Sequence, residues 1–527
     1  LSPEPAERYD SMDRLLVDLT PRARVWRRSF FVPASMGVAA IALVLVRIQT
    51  VTSSAAVNIN SIAVLPLKNL SGDPQQDYLV DGMTEALTTE LGKISALQVL
   101  SYRSVASYRQ TAKPLPQIAQ ELKVDAVLEG AVLHAGEKVR ITTNLVQASP
   151  ERQLWAGNYE FDLRDVVAVR RELAREVASR IQVNMTPPEQ ARLTTSRRVD
   201  PEAYEAYLLG RAHLSKAPTK ESWLKAKEYL ERAIEKDPSY APAYAALAER
   251  EIRVTRGAST RTDREVRQNA RRWAQKALEL DDTIAEAHAV LARVAEQEWD
   301  WAGAEREYRR AIELNPSYPI ARIWYAMYLY GVSRFDEAVV EARRAQYLDP
   351  VSPHINTWAG AAYFFGGRLE EARASWKKAL EVDPAYSDAS LVIARFYLPE
   401  RKYQEAIAEL QKALSFNERR PILLGALAQA YALAGQREEA LKLLAELKQI
   451  EADERGYVSP FGIIWAYAGL GDKDQAFAYL EKCYQEHIER LPWINVDPLM
   501  DPLRSDARFE DLVRRMGVPT RRSPPPR

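Results

Sequence analysis

The sequence predicts a multidomain protein: a single transmembrane helix, a small α/β domain, and then an all-α superhelix of repeated helix pairs. Three observations predict it. Alanines recur every 34 residues through the C-terminal half, the length of two helices and two turns that must stack on copies of themselves to bury an apolar face. Short apolar runs alternate with amphipathic helix patterns over 59–185, the mark of strands and helices in one small domain. Residues 30–46, FFVPASMGVAAIALVLV, carry no charge. The boundaries read from these patterns are 1–29, 30–48 for the span, 59–185, 200–485 for the repeats, 486–519 for a C-terminal cap, and a disordered tail at 520–527.

Composition excludes several classes. The 527 residues hold 72 basic and 72 acidic side chains, so no basic excess points to nucleic acid. With 47% hydrophobic and 27% charged residues the chain is globular rather than disordered. A single cysteine, Cys483, forbids an internal disulfide and a cysteine zinc site. No phosphate-binding G-x-x-x-x-G-K-S/T, H-E-x-x-H, G-x-S-x-G or G-x-G-x-x-G motif occurs. The expectation is a chain with no catalytic residues, no cofactor and no metal.

The uncharged run sits at the short end of what spans a bilayer, about 17–25 residues. Arg22, Arg24, Arg27 and Arg28 precede it, and only Arg47 follows closely. Positive flanks stay in the cytoplasm. Residues 1–29 are therefore expected inside a bacterial inner membrane, and residues 50–527 outside the cytoplasm.

The α/β domain opens on SIAVLPLKNL, an apolar run ended by the turn SGDP. A helix is expected over about 78–93, where Leu79, Met83, Ala86, Leu87 and Leu91 share one face. Then come a strand LQVLSY, a helix LPQIAQELKV, a series of strands turning at AGEK, and a last helix at about 163–182. The words IAVLPL, SGDPQQDYLVDGMTEALTTEL and DAVLEGAV resemble the TolB amino-terminal-like domain, across about 60–183. That resemblance implies a mixed sheet flanked by helices and a non-catalytic role in cell-envelope assemblies. Tyr78, Asp81, Gly82 and Glu85 stand out in it. Residue chemistry reads them structurally, as a turn, a helix entry and a close backbone approach at the glycine.

In the repeats, Ala270, Ala304, Ala338, Ala372, Ala406 and Ala440 fall on the 34-residue ruler, and Ala277, Ala311, Ala345, Ala379 and Ala413 lie seven further on. Two small residues seven apart let the second helix of each pair approach its neighbours closely. DPSY, NPSY, DPVS and DPAY close successive units, because proline stops one helix and pre-sets the next. Tyr308, Tyr363, Trp376 and Tyr431 read as packing. This pattern resembles the tetratricopeptide repeat family over residues 201–485, with about eight helix pairs. In the last pair Ala476 and Cys483 take the two small positions, so the cysteine reads as a small buried hydrophobe.

The resemblance implies that the first helix of each pair lines a concave face. By register that face carries Ile320, Ile323, Met327, Tyr330, His354, Thr357, Phe364, Leu391 and Arg395. It lacks the Lys/Asn array with which family members clamp a terminal carboxylate. The expectation is an apolar groove for an extended or helical peptide of a protein partner.

Residues 4–19, EPAERYDSMDRLLVDL, resemble the last helix of the catalytic domain in bacterial serine/threonine protein kinases. In that family an arginine at the position of Arg8 pairs with the glutamate of the A-P-E motif. That motif, the H-R-D loop and the D-F-G triplet are absent. The resemblance implies the sensing or docking half of a receptor kinase, not an enzyme, with a homodimer expected for signalling through one span. The alternatives are a free-standing membrane-tethered scaffold and the outer region of a winged-helix regulator or nucleotide cyclase.

Overall fold

Strand Ser61–Val64 (β1) is buried along its whole length, as a strand covered on both faces must be. Lys68–Asn69 (β2) follows, and then helix Asp77–Gly92 (α1), whose lead-in is capped by Asp73 accepting the Gln75 N–H. Next come Gln98–Val99 (β3), Tyr102–Val105 (α2) and Leu115–Leu122 (α3). Three long strands form a meander: Ala126–Ala135 (β4), Lys138–Gln147 (β5) and Arg152–Asp162 (β6). Helices Val166–Arg180 (α4) and Pro187–Thr194 (α5) close the domain. The sheet order is β3-β1-β4-β5-β6, with β2 also paired to β4; β1 runs parallel to β3 and β4, and β4 to β6 are antiparallel. Leu79, Met83, Leu87 and Leu91 of α1 and Leu173 and Val177 of α4 share one core with Ile62, Val64 and Leu128 of the sheet.

The computed structural model describes residues 59–136, 138–194, 198–215, 219–253, 263–416, 420–453 and 459–519. The expected membrane span, the residues before it and the tail at 520–527 lie outside them. Among the described residues no helix is long and apolar enough to cross a membrane.

Among the described residues, eight helix pairs follow the sheet domain. They are Pro201–Ser215 (α6) with Lys220–Lys236 (α7), Ala241–Arg253 (α8) with Asp263–Leu280 (α9), and Ala285–Gln297 (α10) with Trp301–Leu314 (α11). Then come Pro319–Gly331 (α12) with Phe335–Leu348 (α13), Pro353–Phe365 (α14) with Leu369–Val382 (α15), and Ser387–Tyr397 (α16) with Tyr403–Phe416 (α17). The last are Pro421–Leu433 (α18) with Arg437–Ala452 (α19), and Pro460–Leu470 (α20) with Lys473–Glu486 (α21). Proline opens α12, α14, α18 and α20, where its missing N–H costs nothing. The alanines of the 34-residue ruler and their partners seven residues on all sit on second helices and are buried. Glycines allow two closer approaches. A Cβ on Gly425 would stand 2.2 Å from the Gly462 Cα, so α18 and α20 touch backbone to backbone; one on Gly360 would meet the Trp376 ring at 2.2 Å.

After α21 the chain turns inward. His487 takes a left-handed conformation (φ 51°) and ends the helix. Two short 3-10 helices, Leu491–Trp493 and Pro498–Leu503, run inside the superhelix before Ala507–Arg515 (α22) caps α21 from outside. The sequence expectation of a simple cap over 486–519 thus describes only its last part. The array also closes on itself. Arg267 of α9 donates to the carbonyls of His487 (2.5 Å) and Glu486 (3.2 Å). Trp299 stacks on His487 at 3.9 Å, and the Trp301 Nε1–H donates to the Met516 carbonyl at 3.0 Å.

Candidate functional site

The concave face is built by the first helices of the pairs, and its nine expected lining residues do not form an open groove. Ile323, Met327, Tyr330, Thr357, Leu391 and Arg395 are buried, and Ile320, His354 and Phe364 are half-buried. What covers much of this face is the chain's own segment 488–503. Trp493 is the central plug: Gly331 leaves room for it, Trp358 lies 6.5 Å away, and the Arg293 guanidinium sits 4.9 Å over its ring. Arg293 also pairs with Glu489 at 3.0 Å. Arg395 pairs with Asp497 at 2.8 Å, both side chains being nearly inaccessible. The Gln429 Nε2 donates to the Leu499 carbonyl at 2.8 Å. The gap left among Tyr330, Trp358, Phe365, Arg395, Trp493 and Val496 is about 10 Å³, no more than one water's room. The face therefore has the chemistry of a peptide groove, but its occupant is internal.

The other lining residues are tied down locally. The Thr357 hydroxyl donates to the Pro353 carbonyl (2.8 Å), and Phe364 lies against Phe396 with ring centres 4.0 Å apart. The His354 Nδ1 meets the Tyr386 hydroxyl at 3.2 Å, and burial holds the imidazole down at about 4, so it is neutral near pH 7.

A second assembled region is the seam between sheet domain and repeats. Gly82 of α1 meets Leu208 of α6, where a Cβ would approach the Leu208 side chain to 2.5 Å. Glu85 and Glu249 both pair with Arg211, at 2.7 and 2.8 Å. Asp81 turns away from the seam to Arg109 and to the Tyr102 hydroxyl at 2.6 Å. Tyr78 packs at the edge of the sheet-domain core. The Ser317 hydroxyl accepts the Val99 N–H at 3.1 Å, and the Leu348 carbonyl accepts the Ser101 N–H at 2.8 Å. The structure thus brings Gly82 and Glu85 together with repeat residues that sequence reasoning did not pair with them.

Asp349 lies in that seam, beneath the Ser104 hydroxyl (3.3 Å) and 3.9 Å from Arg103. Burial pushes its carboxyl up to about 6, against the pull of Arg103. A folded value above the ordinary ~3.9 means that the ionised form is the costly one. Its contribution is most favourable below pH ~4 and is lost as pH rises through 6. Asp349→Asn is expected to match the parent near pH 4 and to be more stable by about 3 kcal/mol at pH 7. Thermal unfolding of the two proteins across this range checks it; a difference that does not change with pH removes the assignment.

Among the described residues no cluster of His, Cys, Asp and Glu could hold a metal ion. Cys483 is buried and its thiol is pushed up by burial, which disfavours the reactive thiolate.

Models of the tetratricopeptide repeat match residues 398–458, and 353–386 with 465–485. A putative adenylate cyclase 3 of Rhizobium meliloti (strain 1021) is 36% identical over 188 residues, 36% of this chain and 32% of that protein. The chain therefore spans about a third of the length of this curated relative. Among solved structures, PilF of Pseudomonas aeruginosa aligns at 22% identity over 41% of this chain and 92% of its own, with a TM-score of 0.32. PilW, a type IV pilus biogenesis factor, aligns at 20% over 40% and 92%, with a TM-score of 0.33. The human IFIT1 dimer aligns at 16% over 60% and 77%, with a TM-score of 0.42. Residues 353–386, 398–458 and 465–485 are thus tetratricopeptide repeats by their family models, and the 34-residue period with its buried alanines runs back through the helix pairs before them to Ala270.

Proposed function

We propose that residues 59–519 are the non-catalytic, protein-interaction region of a larger signalling protein. The repeat array carries this reading, since such arrays present stacked helices to protein or peptide partners. With the concave face occupied from within, a partner is expected on outer surfaces of the array or on the sheet domain. The words shared with the TolB amino-terminal-like domain, together with the mixed sheet flanked by helices, support assigning 59–185 to that class. The uncharged run in 30–48 and the arginines before it support a single membrane span with residues 50–527 outside the cytoplasm.

Two outputs fit this region. The resemblance of residues 4–19 to the end of a kinase catalytic domain supports a receptor-type serine/threonine kinase. The match to a putative adenylate cyclase supports a nucleotide cyclase in its place. Peptide mass mapping of the native polypeptide, isolated with an antibody to the repeats, separates them. Peptides with the H-R-D and D-F-G motifs establish the kinase, and cyclase-domain peptides establish the alternative. A native product with neither, soluble when the cells are broken, removes the signalling-receptor reading.

A further inference from the structure

The sheet has two unlike edges. At the β3 edge the repeats satisfy the backbone: the Val99 N–H goes to Ser317 and the Ser101 N–H to the Leu348 carbonyl. At the other edge β6 pairs only with β5, and among the described residues no strand lies beyond it. The turn between β4 and β5 is closed by the pair Ala135–Lys138. A pair closing a two-residue turn exchanges both backbone bonds, and the pattern then alternates along the strand. Val139, Ile141, Thr143 and Leu145 therefore point their backbone groups at β6, where they face Phe161, Tyr159, Gly157 and Trp155. It follows that Ala156, Asn158 and Glu160 turn their N–H and C=O groups outward. Proteins blunt such an edge with proline, lysine or a bulge. β6 has no proline and no lysine, and its register shift, at Leu145/Val146, leaves residues 155–162 regular.

We propose that this edge pairs antiparallel with β6 of a second copy of the chain, about a two-fold axis at Asn158. That register uses the regular stretch. It sets Asn158 opposite the partner's Asn158, Ala156 opposite the partner's Glu160, and Trp155 opposite the partner's Phe161, with no like charges opposed. Glu160 is already neutralised by Arg140 at 2.6 Å. A two-fold perpendicular to the sheet also brings α4 of the two copies side by side and antiparallel on one face. Its outer residues Glu172, Arg175, Glu176 and Arg180 then meet in opposite signs, Glu172 near the partner's Arg180 and Arg175 near the partner's Glu176. α4 packs against β6; burial and then Glu176 and Glu172, opposed by Arg180, push the Tyr159 hydroxyl of β6 up, in keeping with this charged side of α4 lying beside the strand. One face thus offers both an open backbone edge and a self-complementary charge pattern, and together they specify a second copy.

The test is the mass of the full chain by sedimentation equilibrium in a non-ionic detergent, with two substitutions. The parent is expected at twice the chain mass. Asn158→Pro removes an outward N–H that no bond inside the subunit uses, and is expected to return the protein to the single mass. Asn158→Cys is expected to form a disulfide-linked dimer under mild oxidation, because facing residues on bonded positions stand within disulfide reach and Cys483 is buried. The control Gln75→Cys, exposed elsewhere on the domain, is expected to stay uncrosslinked. A monomeric parent overturns the proposal and leaves the edge to a foreign strand. A proline variant that keeps the double mass overturns it whichever segment joins the copies. Should the proline variant lose its fold by circular dichroism, the cysteine pair decides, and equal crosslinking at 158 and 75 overturns the proposal.

Discussion

Asp497→Ala is expected to lower stability by about 3–5 kcal/mol, because it leaves the Arg395 guanidinium charged and buried without its partner. The pair is 2.8 Å apart and both side chains are nearly inaccessible. Asp497 also caps the 3-10 helix of the inner segment by accepting the Leu499 N–H at 3.0 Å, so part of the loss is the cap, about 1 kcal/mol. Adding Arg395→Met to the alanine variant is expected to restore most of the rest, since an apolar side chain of similar length needs no partner there. Thermal or urea unfolding of the two single variants and the double variant checks it. Additive losses would mean that the two groups do not meet, and the inner segment would then lie elsewhere.

Ala345→Arg is expected to cost about 3 kcal/mol or more, by forcing an unpaired charge into a tight contact. Ala345 is fully buried on α13, seven residues after Ala338, where the helix is pressed between neighbouring pairs. The core there is continuous from Tyr244 to Val518, so the strain has no free surface to relax toward. An unchanged melting temperature would mean that the 34-residue register is misplaced.

Much of the repeat architecture is legible in the sequence because its chemistry is periodic. Alanine at a fixed spacing, proline at helix starts and aspartate at helix ends each report a local constraint that recurs with every unit. The sheet domain is legible for a similar reason: β4 and β5 carry long apolar runs broken by a turn at Gly136, whose φ of +64° suits glycine. Helix α2 leaves no such trace, being a four-residue turn capped by Ser101.

The inner segment is the part that sequence reading misplaces. Residues 488–503, IERLPWINVDPLMDPL, have no period and three prolines, so they read only as the first part of the C-terminal cap. Their partners Arg293, Arg395 and Gln429 lie far back in the chain. One signal was present. A stretch with Trp493, Ile494, Val496, Leu499, Met500 and Leu503 is too apolar to be left in water. The sequence expects an apolar face with a basic edge for a partner peptide; in the structure a segment of the same chain lies against that face, with Asp497 on Arg395 and Trp493 beside Trp358. Gly82 shows the same division: its close approach was readable from residue type, while Leu208 as the neighbour required the fold.

The most direct measurement is hydrogen–deuterium exchange of the full chain, followed peptide by peptide. With residues 488–503 packed inside the superhelix, their amides are expected to exchange as slowly as those of α14 and α18, and to open with them in one step. Exchange of this segment at the rate of a free tail, while α14 and α18 stay protected, would contradict the internal occupant and reopen the concave face to a partner.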